Sequence, residues 1–164
     1  MPLSLYKVVG QVASLRSMLN PSTPPDANVR TGTGQDTGIR ACRMLVVDDN
    51  HDGADLMAVL LRLQGHEVEV AHDGYCALEI AARFEPEVVL LDIGLPGLNG
   101  YDVAKKLRQM KHQRPQCLIA MTGYGSDEDR QRTEEAGFDH HVVKPIEPAE
   151  LNKLLARSIA AMGG

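Results

Sequence analysis

The chain contains no tryptophan, and aromatic residues make up only 4% of its 164 residues. This composition does not favour the aromatic platforms on which single-stranded nucleic acids stack. The net charge is −5 and no basic block is present, so nucleic-acid binding by this chain is not indicated. The apolar runs are too short to cross a bilayer, and the first residues lack the charged start of a signal peptide. We therefore expect no membrane insertion.

Cysteine is also scarce, with Cys42, Cys76 and Cys117 in no CxxC arrangement. An odd, scattered set argues against a disulfide framework and is typical of a reducing compartment, so we predict a cytoplasmic protein. The three side chains are interpreted as small buried hydrophobes. The histidines lack the spacing of a zinc site, because the consecutive His140 and His141 would face opposite sides of a strand.

Composition divides the chain near residue 41. Residues 1–41 carry four basic and two acidic side chains, whereas the remainder is strongly acidic. Residues 20–38 are rich in proline, glycine, threonine and other polar residues, which predicts a flexible linker. Upstream, a short amphipathic helix is indicated by apolar residues at intervals of three and four, namely Leu5, Val8, Val12, Leu15 and Leu19. This segment is either a helix that docks on a partner or dimerises, or a frayed tail.

From residue 42 onward, apolar runs and helical patterns alternate five times, which predicts an α/β fold with a parallel sheet covered on both faces. The predicted strands are 43–48, 67–71, 87–92, 116–121 and 140–143. The predicted helices are 53–64, 74–84, 99–110, 127–136 and 147–161. The helix-start signals are Asp52, Asp73, Asn99 and Ser126, and the helix-end signals are Gly65 and Gly137.

Polar side chains with complementary chemistry follow four of the apolar runs. In an open parallel sheet, ligands bind at the carboxyl ends of the strands, so these side chains are expected to converge. Three carboxylates, one hydroxyl and one ammonium at one edge would suit a divalent cation and a phosphoryl group. The residues are Asp48 and Asp49 after 44–47, Asp92 after 88–91, Thr122 after 118–121, and Lys144 after 142–143.

Each of these residues has a plausible chemical role. Asp48 and Asp49 can serve one Mg²⁺ or Mn²⁺ ion only if the strand is already turning, because strand neighbours point to opposite faces. Asp92 beside a metal is a suitable nucleophile for phosphoryl transfer. The glycine-rich loop after it would allow the Gly94 carbonyl to act as a metal ligand. The Lys144 ammonium can pair with carboxylate or phosphate, and its bond to the following proline can be cis.

Four motifs resemble the receiver domain of bacterial two-component response regulators. The resemblance covers roughly residues 42–162, and the order and spacing of the four motifs are highly specific. The motifs are LVVDDN at 45–50, LLDIGLPGLNG at 90–100, MTG at 121–123 and VVKP at 142–145. The resemblance implies a flavodoxin-like, doubly wound sheet of five strands in the order 2-1-3-4-5 with five helices. Such a domain would occupy 42–164, and 1–41 would be an N-terminal helical and linker appendage.

The resemblance also implies roles for the site residues. Asp92 would accept a phosphoryl group from a phosphohistidine on a sensor histidine kinase or histidine phosphotransfer protein. Asp49, Asp92 and the Gly94 carbonyl would bind Mg²⁺, and Asp48 would act through water. Thr122 and Lys144 would contact the phosphoryl oxygens. The domain would be a signalling phosphoacceptor rather than an enzyme, since it would catalyse only its own phosphorylation and dephosphorylation.

The family couples the phosphoryl-facing hydroxyl, here that of Thr122, to an aromatic residue on the last strand. In this sequence that position is His141, a smaller and more polar side chain. We therefore expect the output to a downstream protein partner to differ. Dimerisation is conceivable through the N-terminal helix or through the face formed by the fourth helix and fifth strand.

Two other functions remain open at this point. A metal-dependent phosphatase with an aspartate nucleophile usually carries a spaced DxD pair on the first strand, whereas Asp48 and Asp49 are adjacent. A receiver-like interaction domain without phosphorylation would not need the intact set of acidic and basic residues. No output domain is expected after the last helix, so the chain is either a stand-alone receiver or the tail of a hybrid sensor kinase.

Overall fold

The computed structural model describes residues 39–112 and 115–163. The predicted N-terminal helix and the whole of the predicted linker lie outside these ranges. Strands β1 to β5 comprise Arg43–Val47, Glu67–Ala71, Val88–Asp92, Cys117–Thr122 and His140–Val143. Helices α1 to α5 comprise His51–Leu63, Gly74–Phe84, Gly100–Gln109, Asp127–Ala136 and Pro148–Met162.

The strands form one parallel sheet in the order β2-β1-β3-β4-β5. This confirms the predicted flavodoxin-like, doubly wound architecture. The chain leaves β1 toward one edge of the sheet and returns to β3 on its other side. The loops after β1 and β3 therefore diverge, and the crevice between them lies at the carboxyl ends of the strands. Register places Val47 beside both Ala71 and Leu91, so the residues that follow these strands are neighbours.

Successive side chains of each strand point to opposite faces of the sheet, so the core is divided into two hydrophobic clusters. On one face, residues such as Leu45 and Leu91 pack against α2 and α3. On the other face, residues such as Met44 and Leu90 pack against α1 and α5. Because β3 and β4 are covered on both faces, every residue in them is buried. This rigid centre carries Asp92 at its end.

Local side-chain signals set most of the helix boundaries. Asp73, Asn99 and Ser126 cap their helices as predicted, each accepting a hydrogen bond from an amide three residues later. The prediction that Asp52 caps the first helix is wrong. Asn50 is the cap, and its side chain accepts a hydrogen bond from the Gly53 amide at 3.2 Å. The helix therefore begins at His51, two residues earlier than predicted.

The cysteines follow the prediction in two cases of three. Cys42 and Cys117 are buried, whereas Cys76 is half-buried, and all three are free thiols. Burial raises the pKa of Cys42 to about 12 and that of Cys117 to about 11, so both thiols stay protonated near neutrality. Within the described residues, no helix is long and apolar enough to cross a membrane.

Candidate functional site

Three carboxylates converge at the carboxyl ends of β1 and β3. Asp48, Asp49 and Asp92 each offer an oxygen, and these atoms all lie within 4.8 Å of one another. Asp48 and Asp92 are buried, whereas Asp49 is exposed. The register of the two central strands brings the residues together, since Val47 and Leu91 are direct neighbours. Such an arrangement concentrates negative charge in one place.

The two adjacent aspartates share one site because the strand turns between them. The Asp48 amide still donates to the Ala71 carbonyl at 3.1 Å, as the next rung of the ladder between β1 and β2. Its carboxylate Oδ1 then accepts the Asn50 amide at 2.9 Å, which closes a turn. The chain leaves the sheet at this turn, so the opposite-face rule of a regular strand no longer applies.

The Lys144 ammonium lies between two of the carboxylates. Its Nζ is 2.7 Å from Asp48 Oδ2 and 3.2 Å from Asp92 Oδ2. The lysine backbone is held by its amide, which donates to the Thr122 carbonyl at 2.7 Å. The Lys144–Pro145 peptide bond is cis. One ammonium therefore faces three carboxylates, and the site keeps an excess of negative charge.

Burial is the first influence on the pKa values of Asp92 and Lys144. It raises the pKa of Asp92 and outweighs the Gly94 amide and the Lys144 charge, both of which lower it. Burial by itself would lower the pKa of Lys144. The hydrogen bond and charge of Asp48, together with those of Asp92, outweigh that effect and leave the lysine pKa raised. Lys144 is therefore a firmly charged ammonium beside a relatively basic carboxylate.

Glycines allow the loop after β3 to lie against Asp92. The Gly94 amide donates to Asp92 Oδ1 at 2.9 Å. Gly100, the first residue of α3, is the tightest position, because a Cβ there would lie 2.5 Å from the Asp92 carbonyl oxygen. A side chain at this position would push the loop away from the carboxylate. The pattern of glycines predicted a close loop, but not that Gly100 makes the closest approach.

Thr122 is the last residue of β4, and its hydroxyl is occupied by its own loop. The hydroxyl donates to the Tyr124 carbonyl and accepts the Tyr124 amide at 2.9 Å. In the part of the chain that the structure describes, it makes no hydrogen bond to Asp92. The residue is nevertheless close to the site, because Met121 pairs with Asp92 in the sheet.

His141 lies on the edge strand β5, opposite Ala120. Its ring is half-buried, and its Nε2 atom is buried without a hydrogen-bond partner in the described structure. Among the described residues, no hydrogen bond joins it to Thr122. The predicted switch pair is therefore placed in the same region of the sheet but is not directly connected.

Two histidines near the aspartates were not predicted from the sequence as part of the site. His72 directly follows β2, and its Nδ1 lies 3.0 Å from the Asp48 carbonyl oxygen. Its ring stacks on that of His51, with ring centroids 3.7 Å apart. The available signal was the position of His72 after the one remaining predicted strand, 67–71, whose carboxyl end lies on the same edge of the sheet.

The donor set fits a hard divalent cation. Carboxylate oxygens and a backbone carbonyl are the ligands that Mg²⁺ prefers, and this ion retains several waters, so few protein ligands suffice. Asp49 and Asp92 provide the carboxylates, and the backbone after Asp92 is held close by the Gly94 hydrogen bond.

Comparison with known proteins identifies the class of the domain. A family model described as the response regulator receiver domain matches residues 44–156. The chain therefore belongs to this family and contains a receiver domain of a two-component response regulator. Receiver domains are signalling domains that interact with histidine kinases or phosphotransfer partners.

Two curated relatives show the extent of the similarity. The transcriptional regulatory protein PrrA of Mycobacterium leprae is 41% identical over 116 residues, which are 71% of this chain and 49% of that protein. An uncharacterized 14.6 kDa protein of Leptolyngbya boryana is 33% identical over 112 residues, covering 68% of this chain and 86% of the relative. The chain spans about half the length of the PrrA relatives that it matches.

Solved structures show the same fold. The chemotaxis protein CheY4 of Vibrio cholerae has a TM-score of 0.69 and 28% identity, covering 73% of this chain and 99% of that one. The receiver domain of the sensor histidine kinase PA1611 from Pseudomonas aeruginosa has a TM-score of 0.67 and 30% identity, covering 74% and 99%. The latter structure contains a magnesium ion coordinated in its active-site cleft.

Proposed function

We propose that the domain accepts a phosphoryl group on Asp92 from a phosphohistidine of a sensor histidine kinase or a histidine phosphotransfer protein. One observation carries this proposal. The Lys144 ammonium lies within 3.2 Å of Asp92 Oδ2 and 2.7 Å of Asp48 Oδ2, at the point where three carboxylates meet. A nucleophile, a fixed cation and a set of hard oxygen ligands therefore occupy one small site.

Asp49, Asp92 and the Gly94 carbonyl would hold Mg²⁺ or Mn²⁺, and Asp48 would act through water. Asp49 suits direct coordination, because it is exposed and its carboxylate has no hydrogen bond within the described residues. Asp48 is less available, since Asn50 and Lys144 already occupy its two carboxylate oxygens. When bound, the ion would neutralise charge on the phosphoryl oxygens.

In the forward step, a carboxylate oxygen of Asp92 attacks phosphorus and the new O–P bond forms. The P–N bond to the donor imidazole breaks, and its electron pair stays on the nitrogen, which takes up a proton. Lys144 is placed to pair with the negative phosphoryl oxygens. Thr122 can donate to another oxygen once its hydroxyl leaves the Tyr124 carbonyl. These contacts stabilise charge in the transition state.

The reverse step makes the modification a switch. Water attacks phosphorus, the O–P bond breaks, and orthophosphate leaves while the Asp92 carboxylate is restored. The domain would thus catalyse only its own phosphorylation and dephosphorylation. The modified state would change the affinity for a downstream protein partner or for a second copy of the chain. A rotation of the Thr122 hydroxyl away from the Tyr124 carbonyl, together with the position of His141 on β5, would carry this change to the region of α4 and β5.

We also propose that residues 42–164 form the receiver domain and that residues 1–41 form an appendage. A cytoplasmic location would agree with the free thiols of Cys42, Cys76 and Cys117.

Intact mass spectrometry after incubation with acetyl phosphate and Mg²⁺ tests the proposal. We expect one added phosphoryl group on the wild type and on Asp55→Asn, which changes an exposed aspartate of α1, and none on Asp92→Asn. Chelation with EDTA should abolish the adduct. Wild type that binds Mg²⁺ but remains unmodified by acetyl phosphate and by phosphohistidine donors would instead indicate an interaction domain without the chemistry.

A further inference from the structure

The β1–β2 ladder ends at the acidic site with an unusual donor. The Asp48 amide donates to Ala71, and Val47 pairs with Ala71, so regular pairing would next bring the Asp73 amide to the Asp48 carbonyl. Asp73 has left the sheet, however, and caps α2 instead. The imidazole of His72 takes its place, with Nδ1 at 3.0 Å from the Asp48 carbonyl oxygen. A carbonyl cannot donate, so Nδ1 carries the proton.

The second contact of His72 ties the turn to the next helix. Its ring stacks on His51, the first residue of α1, at 3.7 Å between centroids and with 18° between the ring planes. The chain from Asp48 to His51 is therefore attached at both ends to a single side chain. Asp49 lies between these two attachment points, and its carboxylate accepts no hydrogen bond within the described structure.

We propose that His72 is a positioning residue for the divalent-cation site, and that His51 supports it by stacking. The His72 hydrogen bond holds the Asp48 carbonyl at the end of the sheet, and the stack holds the start of α1. Together they set the direction in which the intervening turn presents Asp49. Groups that orient metal ligands without touching the metal commonly change affinity by about 10- to 100-fold when they are removed.

This inference rests on the cation site of the proposed function but not on phosphoryl transfer. The test is therefore direct titration of the full chain with MgCl₂ by isothermal titration calorimetry. We expect His72→Ala to raise the Kd by about tenfold. The variant His72→Asn should recover most of the affinity, because its amide N–H can donate to the same carbonyl. His51→Ala, which removes only the stack, should raise the Kd by about threefold.

A matched control separates positioning from loss of any histidine. The His112 Nε2 also lies 3.0 Å from a backbone carbonyl, that of Leu107, but at the far end of α3. His112→Ala should leave the Mg²⁺ affinity unchanged. Circular dichroism in EDTA establishes that each variant is folded at the titration temperature.

The outcomes are distinct. An unchanged Kd in His72→Ala, or no recovery in a folded His72→Asn, overturns the positioning role. A wild type that does not bind Mg²⁺ overturns both this inference and the proposed function. A wild type that binds Mg²⁺ with the expected dependence on His72 but never accepts a phosphoryl group overturns the proposed function alone.

Discussion

Two buried carboxylates flank strand β3, and they differ in the balance of charge around them. Glu87, just before the strand, is paired with a guanidinium group, since Arg40 Nη1 lies 2.8 Å from its Oε1. The Arg43 amide donates to its other oxygen at 3.2 Å. Asp92, the last residue of the strand, shares the Lys144 ammonium with Asp48, and the Asp49 carboxylate lies beside them.

This contrast distinguishes a structural ion pair from the proposed phosphorylation site. At the amino end, the Glu87 carboxylate is paired with the Arg40 guanidinium, and such a pair serves the fold. At the carboxyl end, three carboxylates meet one ammonium within the described residues, and this surplus of negative charge would attract the proposed divalent cation. Burial alone is therefore not the mark of function, because Glu87 is 5% exposed and Asp92 is 8% exposed.

The largest expected effect is the loss of phosphorylation rate when the Lys144 ammonium is removed. Lys144→Ala should lower the rate of phosphorylation by acetyl phosphate by about 100-fold, because a fixed charge that stabilises the transition state is lost. Arg40→Ala removes the matching cation at the amino end and should leave that rate unchanged. Time courses of intact mass would measure both rates, and equal losses in the two variants would contradict the distinction.

Neutralising a carboxylate should lower the stability of the fold at the amino end of β3 and raise it at the carboxyl end. Glu87→Gln should lower the free energy of unfolding by about 1–3 kcal/mol, since it weakens a buried charged hydrogen-bond network. Asp49→Asn should raise the free energy of unfolding slightly in EDTA, because it relieves repulsion among three carboxylates. Urea denaturation gives both values. Destabilisation by Asp49→Asn would show that the surplus charge is compensated in a way that distances do not reveal.

The two ends should also respond oppositely to pH. Burial lowers the pKa of His66, near Cys42 at the amino end, from its ordinary value of 6.5. Its contribution to stability is therefore complete above pH 6.5 and is lost as pH falls through the lowered value. Burial raises the pKa of Asp92 from 3.8, so its contribution is complete below that pH and is lost as pH rises through the raised value.

Denaturation curves across pH would resolve these two contributions. His66→Gln should remove the loss of stability on acidification below pH 6.5, whereas Asp92→Asn should leave that loss in place and remove the opposite slope at lower pH. The same pH profile in His66→Gln and wild type would contradict the assignment.

The smallest effect on phosphorylation is expected at His141. His141→Tyr should change the rate of phosphorylation by less than about twofold, because the ring makes no hydrogen bond to Thr122 or Lys144 within the described residues. It should alter the affinity of the phosphorylated state for a downstream partner more strongly, since the buried Nε2 lacks a partner. Titration of that partner with both proteins would measure this, and equal affinities would show that His141 has no role in output.

Much of the fold was predictable because strong local patterns agree with the tertiary arrangement. The predicted boundaries of α2, α4, β2 and β5 match the structure, that of β3 differs by one residue at its start, and β4 is shifted by one residue at both ends. The start of α1 was not predictable from Asp52, because the choice of Asn50 as the cap depends on the turn closed by the Asp48 carboxylate.

The sequence by itself determined the alternation of strands and helices and the acidic, hydroxyl and basic residues at the strand ends. These follow from periodicity and from the chemistry of neighbouring residues. Only the tertiary structure decided that Lys144 bridges Asp48 and Asp92, that Gly100 meets the Asp92 backbone, and that His72 completes the ladder at Asp48. The reason is physical. The Lys144 and His72 contacts join residues far apart in sequence, so their distances are set by strand order and register. The Gly100 contact depends on the path of the loop that connects β3 to α3, which folds back on the strand end.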